Sequence, residues 1–141
     1  MTGDDRHPVI LDIGAPPDPG YLLEVLEAHA EAVRVANHLT RHHEAIGKPW
    51  DGDRLIRGLL SAAERLPQLL DQIATWYERE AAAGRLEVDG GDRTAAMAVV
   101  AIRLRADAAR ISAEQLQSDL ASIARVTSTL AAAGTGEDGD G

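Results

Sequence analysis

Few residues in this chain could do chemistry, and the histidines come first. His38 and His42 stand four apart, and Glu31 precedes His38 by seven. On a helix these offsets place all three side chains on one face. Two imidazoles and a carboxylate are a donor set that can hold a divalent metal. The same face carries Glu24 and Glu27, however, so it reads as solvated polar surface. Metal sites in helical bundles use inward-facing donors, often from Glu-x-x-His pairs, and this chain has no such pair. His29 falls on the apolar side, where a core histidine with a structural hydrogen bond is expected. Ser61, Ser112, Ser118, Ser122 and Ser128 belong to no nucleophile motif. The glycines fall in turns and termini, not in a phosphate-binding loop. The terminal "EDGDG" matches only the start of a calcium loop and lacks its closing glutamate. With no cysteine there is no thiolate ligand and no thiol nucleophile. The expectation is a non-enzymatic protein with no catalytic residue, no cofactor and no metal ligand.

Composition narrows the class further. The chain has 141 residues, which suits one domain, and is 45% hydrophobic with 3% aromatics and no Phe. Its core must come from Leu, Val, Ile and Ala. Alanine occurs 25 times, and 13 arginines stand against the single lysine, Lys48. Alanine and leucine favour helix, although part of this bias matches the codon usage of a GC-rich bacterial genome. Net charge is −9, of which residues 1–20 and 134–141 carry −3 each. The body is nearly balanced and has no basic stripe for a phosphate backbone, so no nucleic-acid partner is expected. No apolar run approaches the ~20 residues of a membrane span, and the acidic start has no signal-peptide pattern. A cytoplasmic protein without a membrane partner is expected.

The elements that would position these residues are helices. Residues 1–18 form a Pro-, Gly- and Asp-rich head, expected to be disordered or extended; within it, the apolar run 9–13 is a candidate docking segment. Asp18 caps and Pro19 opens a first helix reaching about Ala45. Its apolar stripe holds Leu22, Val25, Leu26, Val33 and Ala36. In "IGKPWDGD", Gly47 suits a helix end, Pro49 blocks continuation, and Asp51 or Asp53 suits the next cap. A second helix from about Asp53 to Ala83 carries Leu55, Leu59, Ala62, Leu66, Leu69, Ile73 and Trp76 in alternating steps of four and three, a seam for packing on another helix. Gly84 opens the next turn and Asp92 closes it. A third helix runs from about Arg93 to Ala133. Its stripe of Met97, Val100 or Ala101, Leu104, Ala108 and Ile111 jumps in phase before resuming as Leu116, Leu120, Ile123, Thr127 and Leu130. Ser112 and Gln115 form a capping-box pattern at the jump, so the helix is bent or split near Ser112; with no Gly or Pro inside it, one long helix is favoured. Short turns between long helices give an all-α, antiparallel up-down-up bundle of three helices over residues 19–133. Residues 134–141 form a disordered acidic tail.

Pro67 lies inside the second helix and beside its seam. Proline leaves the carbonyl of Ala63 without its usual donor. His29, Asn37 or a water is the expected replacement. No good cap precedes Pro67, so the helix is expected to bend and continue, with its kink facing helix 3 near Ala108 to Ser112.

Two stretches resemble known families. Trp50-Asp51-Gly52, in the turn of an acidic helical hairpin, resembles the WXG100 proteins, small helical dimers exported by type VII secretion. Their Tyr-x-x-x-Asp/Glu export signal is not matched, because Ala81 stands four after Tyr77. Against that resemblance, Trp50 also suits a plug at the bundle end near Ile123 to Thr127. "EAVRVANHLTRHHEAIGKP" with "LPQLLDQIATWYEREAAAGRL" resembles small all-helical proteins of actinobacteria. That resemblance implies a bacterial origin and a bundle fold, and no reaction. Taken together, the readings lead to an interaction or accessory protein that binds a protein partner or itself. A WXG100-like secretion partner and a metal- or ligand-binding bundle are the alternatives.

Overall fold

The computed structural model describes residues 9–91 and 93–133. All regular structure among them is helical: α1 (Pro19–Leu39), a single 3-10 turn (His43–Ala45), α2 (Pro49–Ala63), α3 (Leu66–Ala82) and α4 (Ala95–Thr127). The chain divides into two compact units, Met1–Gly47 and Lys48–Gly141. The expectations for residues 1–8, for the tail 134–141 and for Asp92 as a cap lie outside the described residues.

In the first unit, α1 starts where Asp18 and Pro19 place it. The Asp18 carboxylate accepts from Gly20 N at 3.3 Å and Tyr21 N at 3.2 Å, satisfying amides with no partner inside the helix. The helix ends earlier than expected, at Leu39 and not Ala45. The Thr40 hydroxyl turns back on the carbonyls of Ala36 and Asn37, and the amides of Arg41 and His42 take tighter three-residue bonds to His38 and Leu39. Gly47 therefore caps nothing. The apolar run of the head is held by its backbone: the Tyr21 hydroxyl donates to Ile10 O at 2.7 Å and accepts from Asp12 N at 2.8 Å. The side chains of Ile10, Leu11 and Ile13 remain exposed. No residue of α1 is buried, and His29 is exposed, not a core histidine.

The second unit is a helical hairpin. One arm is α2 followed by α3, and the other is α4. Three contacts fix an antiparallel register: Asp53 with Thr127, Ala63 with Gln117, and Glu78 with Arg103. Pro49, expected to keep the chain out of helix, opens α2 in its first turn, where a missing amide costs nothing; neither Asp51 nor Asp53 is the cap. Gly84, at φ +69°, ends α3 as expected. The amide of Arg85 reaches Glu80 O and that of Gly84 reaches Ala81 O, both at 3.0 Å, the paired bonds of a Schellman ending. Thr94 caps α4 by accepting from Met97 N. The helix is unbroken through Ser112 and ends at Thr127, short of Ala133. Ser112 and Gln115 make no capping box; their side chains bond Ala108 O and Asp119.

Pro67 does break its helix. The expected continuous helix 2 is two helices, α2 and α3, joined through Glu64 and Arg65. Both joining residues keep right-handed helical backbone, at φ/ψ of −62°/−22° and −93°/−17°. What changes is the hydrogen bonding, and every one of the last four carbonyls of α2 finds a partner. Leu60 O accepts from Glu64 N and Ala62 O from Arg65 N. Ser61 O accepts from the Arg65 guanidinium at 2.6 Å. Ala63 O, deprived by Pro67, accepts from Gln117 Nε2 at 3.0 Å. The replacement donor is thus Gln117 on α4, not His29 or Asn37. The junction faces α4 about one turn beyond the expected Ala108 to Ser112.

The seam has the expected period but not the expected phase. Facing α4 are Asp53, Ile56, Leu60, Ala63, Pro67, Leu70, Ala74, Tyr77 and Ala81, all buried or half-buried. Each follows the last by four or three, and the pattern crosses the break intact because the joining residues stay helical. The opposing face is Val99, Arg103, Ala106, Arg110, Ala113, Gln117, Leu120, Ala124 and Thr127, one continuous stripe with no jump. Buried contacts are mostly alanine (Ala63, Ala74, Ala113 and Ala124), with Val99 and Leu120. Small side chains let the two backbones come close, leaving a thin core.

Candidate interaction surface

The residues expected to form the seam point elsewhere. Leu55, Leu59, Leu66, Ile73 and Trp76 lie one position before the buried set, about 100° round the helix. They are 37–53% exposed. On the same side, α4 presents Ala98, Ile102, Ala109, Leu116 and Ile123. Between α3 and α4 this stripe deepens into an open groove of about 680 Å³. Leu70, Ile73, Ala98, Ala101 and Ala106 line it, with Arg93 and Arg105 as its cationic members. Those two arginines make no ion pair or hydrogen bond among the described residues. On the other side of α2 and α3 the corresponding positions are polar: Arg54, Arg57, Ser61, Gln68, Asp71 and Thr75. The arm is therefore apolar toward α4 and along one further exposed stripe, and polar on the side beyond.

A polar clamp holds the hairpin behind this groove. Arg103 donates Nε and Nη2 to the two oxygens of Glu78 at 2.7 and 2.8 Å, Nη1 to Asp71 at 2.8 Å, and Nη2 to Thr75 Oγ1 at 3.0 Å. Bidentate pairing suits the planar guanidinium. The hydrogen bond from Arg103 holds the Glu78 carboxyl below the usual carboxylate range, against a smaller opposing effect of burial. Glu78 and Asp71 in turn raise the Arg103 guanidinium, already a permanent cation. Asp53 is also held low, first by the Thr127 hydroxyl at 2.6 Å and then by Arg57. These groups satisfy one another and clamp the two arms together. Arg110, one heptad beyond Arg103, has a buried Nε without a partner among the described residues.

No family model matches this chain, and no curated protein or solved structure matches it either. Among the described residues no three His, Asp or Glu side chains group as metal ligands. His38 and His42 do meet, edge to face at 5.7 Å, although His42 lies past the end of α1. Glu31 is gripped by Arg34 through two bonds of 2.8 and 2.6 Å. Trp50 and Gly52 sit inside the first turn of α2, so the Trp-x-Gly triplet does not form the interhelical turn expected from its resemblance. Trp50 is 51% exposed under Lys48 Nζ, 4.7 Å from the ring centre, and plugs nothing. Sequence reading missed Arg103 and Gln117. Their signal was spacing: Arg103, Arg110 and Gln117 recur every seven residues within an alanine-rich helix.

Proposed function

We propose that this chain is a non-enzymatic helical interaction module that works by associating with a protein surface, first of all that of its own kind. One observation carries the reading: the apolar stripe from Leu55 to Trp76, with its groove against α4, is left open. An apolar neighbour would gain about 25 cal/mol for each Å² covered, and the Ala-rich side of α4 admits another helix at close range. A third helical layer would complete an up-down-up bundle. No helix among the described residues is long and apolar enough to cross a membrane, and Arg103, the best-connected cation, is already neutralised by Glu78 and Asp71. Sedimentation velocity over a concentration series tests the proposal. A reversible dimer is expected in the micromolar range, shifted to monomer by Ile73→Glu, whose side chain is 47% exposed; circular dichroism of the variant checks that it still folds. Monomer alone at high micromolar concentration would refute the reading.

A further inference from the structure

We propose that the open face of the hairpin is covered by the same face of a second copy, set antiparallel about a two-fold axis that passes beside Ser112. This rests on the self-association reading and gives it a geometry. Every residue it uses belongs to the unit Lys48–Gly141. On α4 the face is one stripe in steps of four and three, and its charges and side-chain sizes are arranged symmetrically about Ser112. Arg105 lies seven residues before Ser112 and Asp119 seven after. Both are exposed, and neither has an ion pair among the described residues; Asp119 accepts a bond from the Gln115 amide at 3.1 Å. Turning a second α4 end for end about Ser112 brings Arg105 of each copy opposite Asp119 of the other. The same turn sets the small Ala109 against the bulkier Leu116, which is 46% exposed, and Ile102 against Ile123, which is 42% exposed. Ser112 meets its own counterpart, where a short side chain lets the two helices close.

The other arm has a centre of its own, and it falls at the same height. Ala63 stands opposite Gln117. Gln68, five residues on from Ala63, is therefore level with Ser112, five residues back from Gln117. Leu66 and Leu69 straddle Gln68, and Ala62 and Ile73 lie six before it and five after. One axis thus pairs Leu66 with Leu69 and Ala62 with Ile73 of the second copy while it pairs Arg105 with Asp119. The alternative face-to-face axis, along the helices, sets α4 on the second copy's α2–α3 arm. By the same register Arg105 then comes level with Ile73 and Trp76, and Asp119 with Leu59 and Ala62. Both charges lose water there without gaining a partner, which is strongly unfavourable. Arg93 and Glu80, the latter held by Arg85, fall near the ends of the face. The area is adequate. The overlap about Ser112 is about 45 Å long and two helices, or about 20 Å, wide. The two copies together lose about 1,800 Å² of surface, within the range of stable specific interfaces.

Charge reversal in the full chain tests the pairing. Arg105→Asp alone sets acid against acid at both contacts, and Asp119→Arg alone sets base against base. Each is expected to weaken self-association at least tenfold in sedimentation velocity. An equimolar mixture of the two is expected to dimerise as the unsubstituted chain does, because both contacts of the mixed dimer again join opposite charges. Recovery in the mixture also shows that both variants fold. Because the chain has no cysteine, Ser112→Cys reports the axis without background. It is expected to form a disulfide with its own counterpart, whereas Ile123→Cys, about 33 Å from its counterpart along the helices, is not. A dimer that ignores both reversals, or a mixture that stays monomeric while circular dichroism shows both variants folded, overturns the antiparallel pairing and leaves self-association standing. A monomer of the unsubstituted chain at every concentration, as when another segment of the same chain covers the face, overturns both.

Discussion

The bond from Gln117 to Ala63 should be strongly coupled to Pro67, which is distant from Gln117 in sequence but close to it in the hairpin. Replacing Gln117 by Leu keeps the approximate volume and removes the Nε2 donor. The Ala63 residue is 3% exposed, so its carbonyl then has neither water nor amide. Leaving a buried acceptor unpaired costs about 1–3 kcal/mol, offset slightly by the added apolar surface. The expected net loss is about 1–2 kcal/mol. In urea, at roughly 1–2 kcal/mol per M for a unit of this size, the midpoint falls by about 0.5–1 M. Pro67→Ala changes the outcome, because an alanine at that position supplies the missing amide to the same carbonyl, allowing α2 and α3 to fuse. In that background Gln117→Leu should cost less than about 0.5 kcal/mol, giving a coupling of about 1 kcal/mol in a double-mutant cycle. Far-ultraviolet circular dichroism at fixed protein concentration reads all four proteins. Equal costs in the two backgrounds, within about 0.3 kcal/mol, would show that Gln117 does not answer the vacancy left by Pro67.

Two glycines should respond in opposite directions. Gly58→Ala, on the exposed side of α2 with nothing within 4 Å of an added Cβ, should raise stability by about 0.5–1 kcal/mol through helix propensity. Gly84→Ala, held at φ +69°, should lower it by about 1 kcal/mol despite equally open space; thermal melts distinguish them. Acid should weaken the hairpin. The carboxyls of Asp53, Glu78 and Glu80 are held low by hydrogen bonds from Thr127, Arg103 and Arg85. A folded value below the unfolded one contributes stability that is complete above the unfolded range and is lost as pH falls through the folded value. The urea midpoint should therefore be flat near neutrality and fall below about pH 4, with a smaller fall in Glu78→Gln.

Much of the local structure was legible because its causes are local. Asp18 before Pro19 can do little except cap and open a helix, and Gly84 is the residue that takes a left-handed ending without strain. The absence of Gly and Pro between Ala95 and Thr127 makes one helix, and the structure has one. Other signals were ambiguous for physical reasons. Pro49 was read as a stop, yet proline is tolerated in a first turn as readily as it ends a helix elsewhere. At Pro67 the missing amide was certain, but whether the helix bends or divides depends on which donors take the freed carbonyls. Arg65 takes Ser61 and Gln117 takes Ala63, and a donor 54 residues away cannot be named from spacing.

The sequence by itself determined the helical class, the four-and-three period of the arms and the charge carried at each end of the chain. These follow from composition and from hydrophobic spacing, which act along the chain. Only the tertiary structure decided which side of each arm faces inward. Leu55 beside Ile56, Leu59 beside Leu60, Leu69 beside Leu70 and Ile73 beside Ala74 are apolar neighbours, so two faces about 100° apart carry the same period. The inward one is the face on which Ala63 and Ala74, and Ala113 and Ala124 of α4, are buried while Arg103 and Gln117 find their partners. Packing distance and polar satisfaction are properties of two helices together, and they left the more bulky stripe outside, exposed.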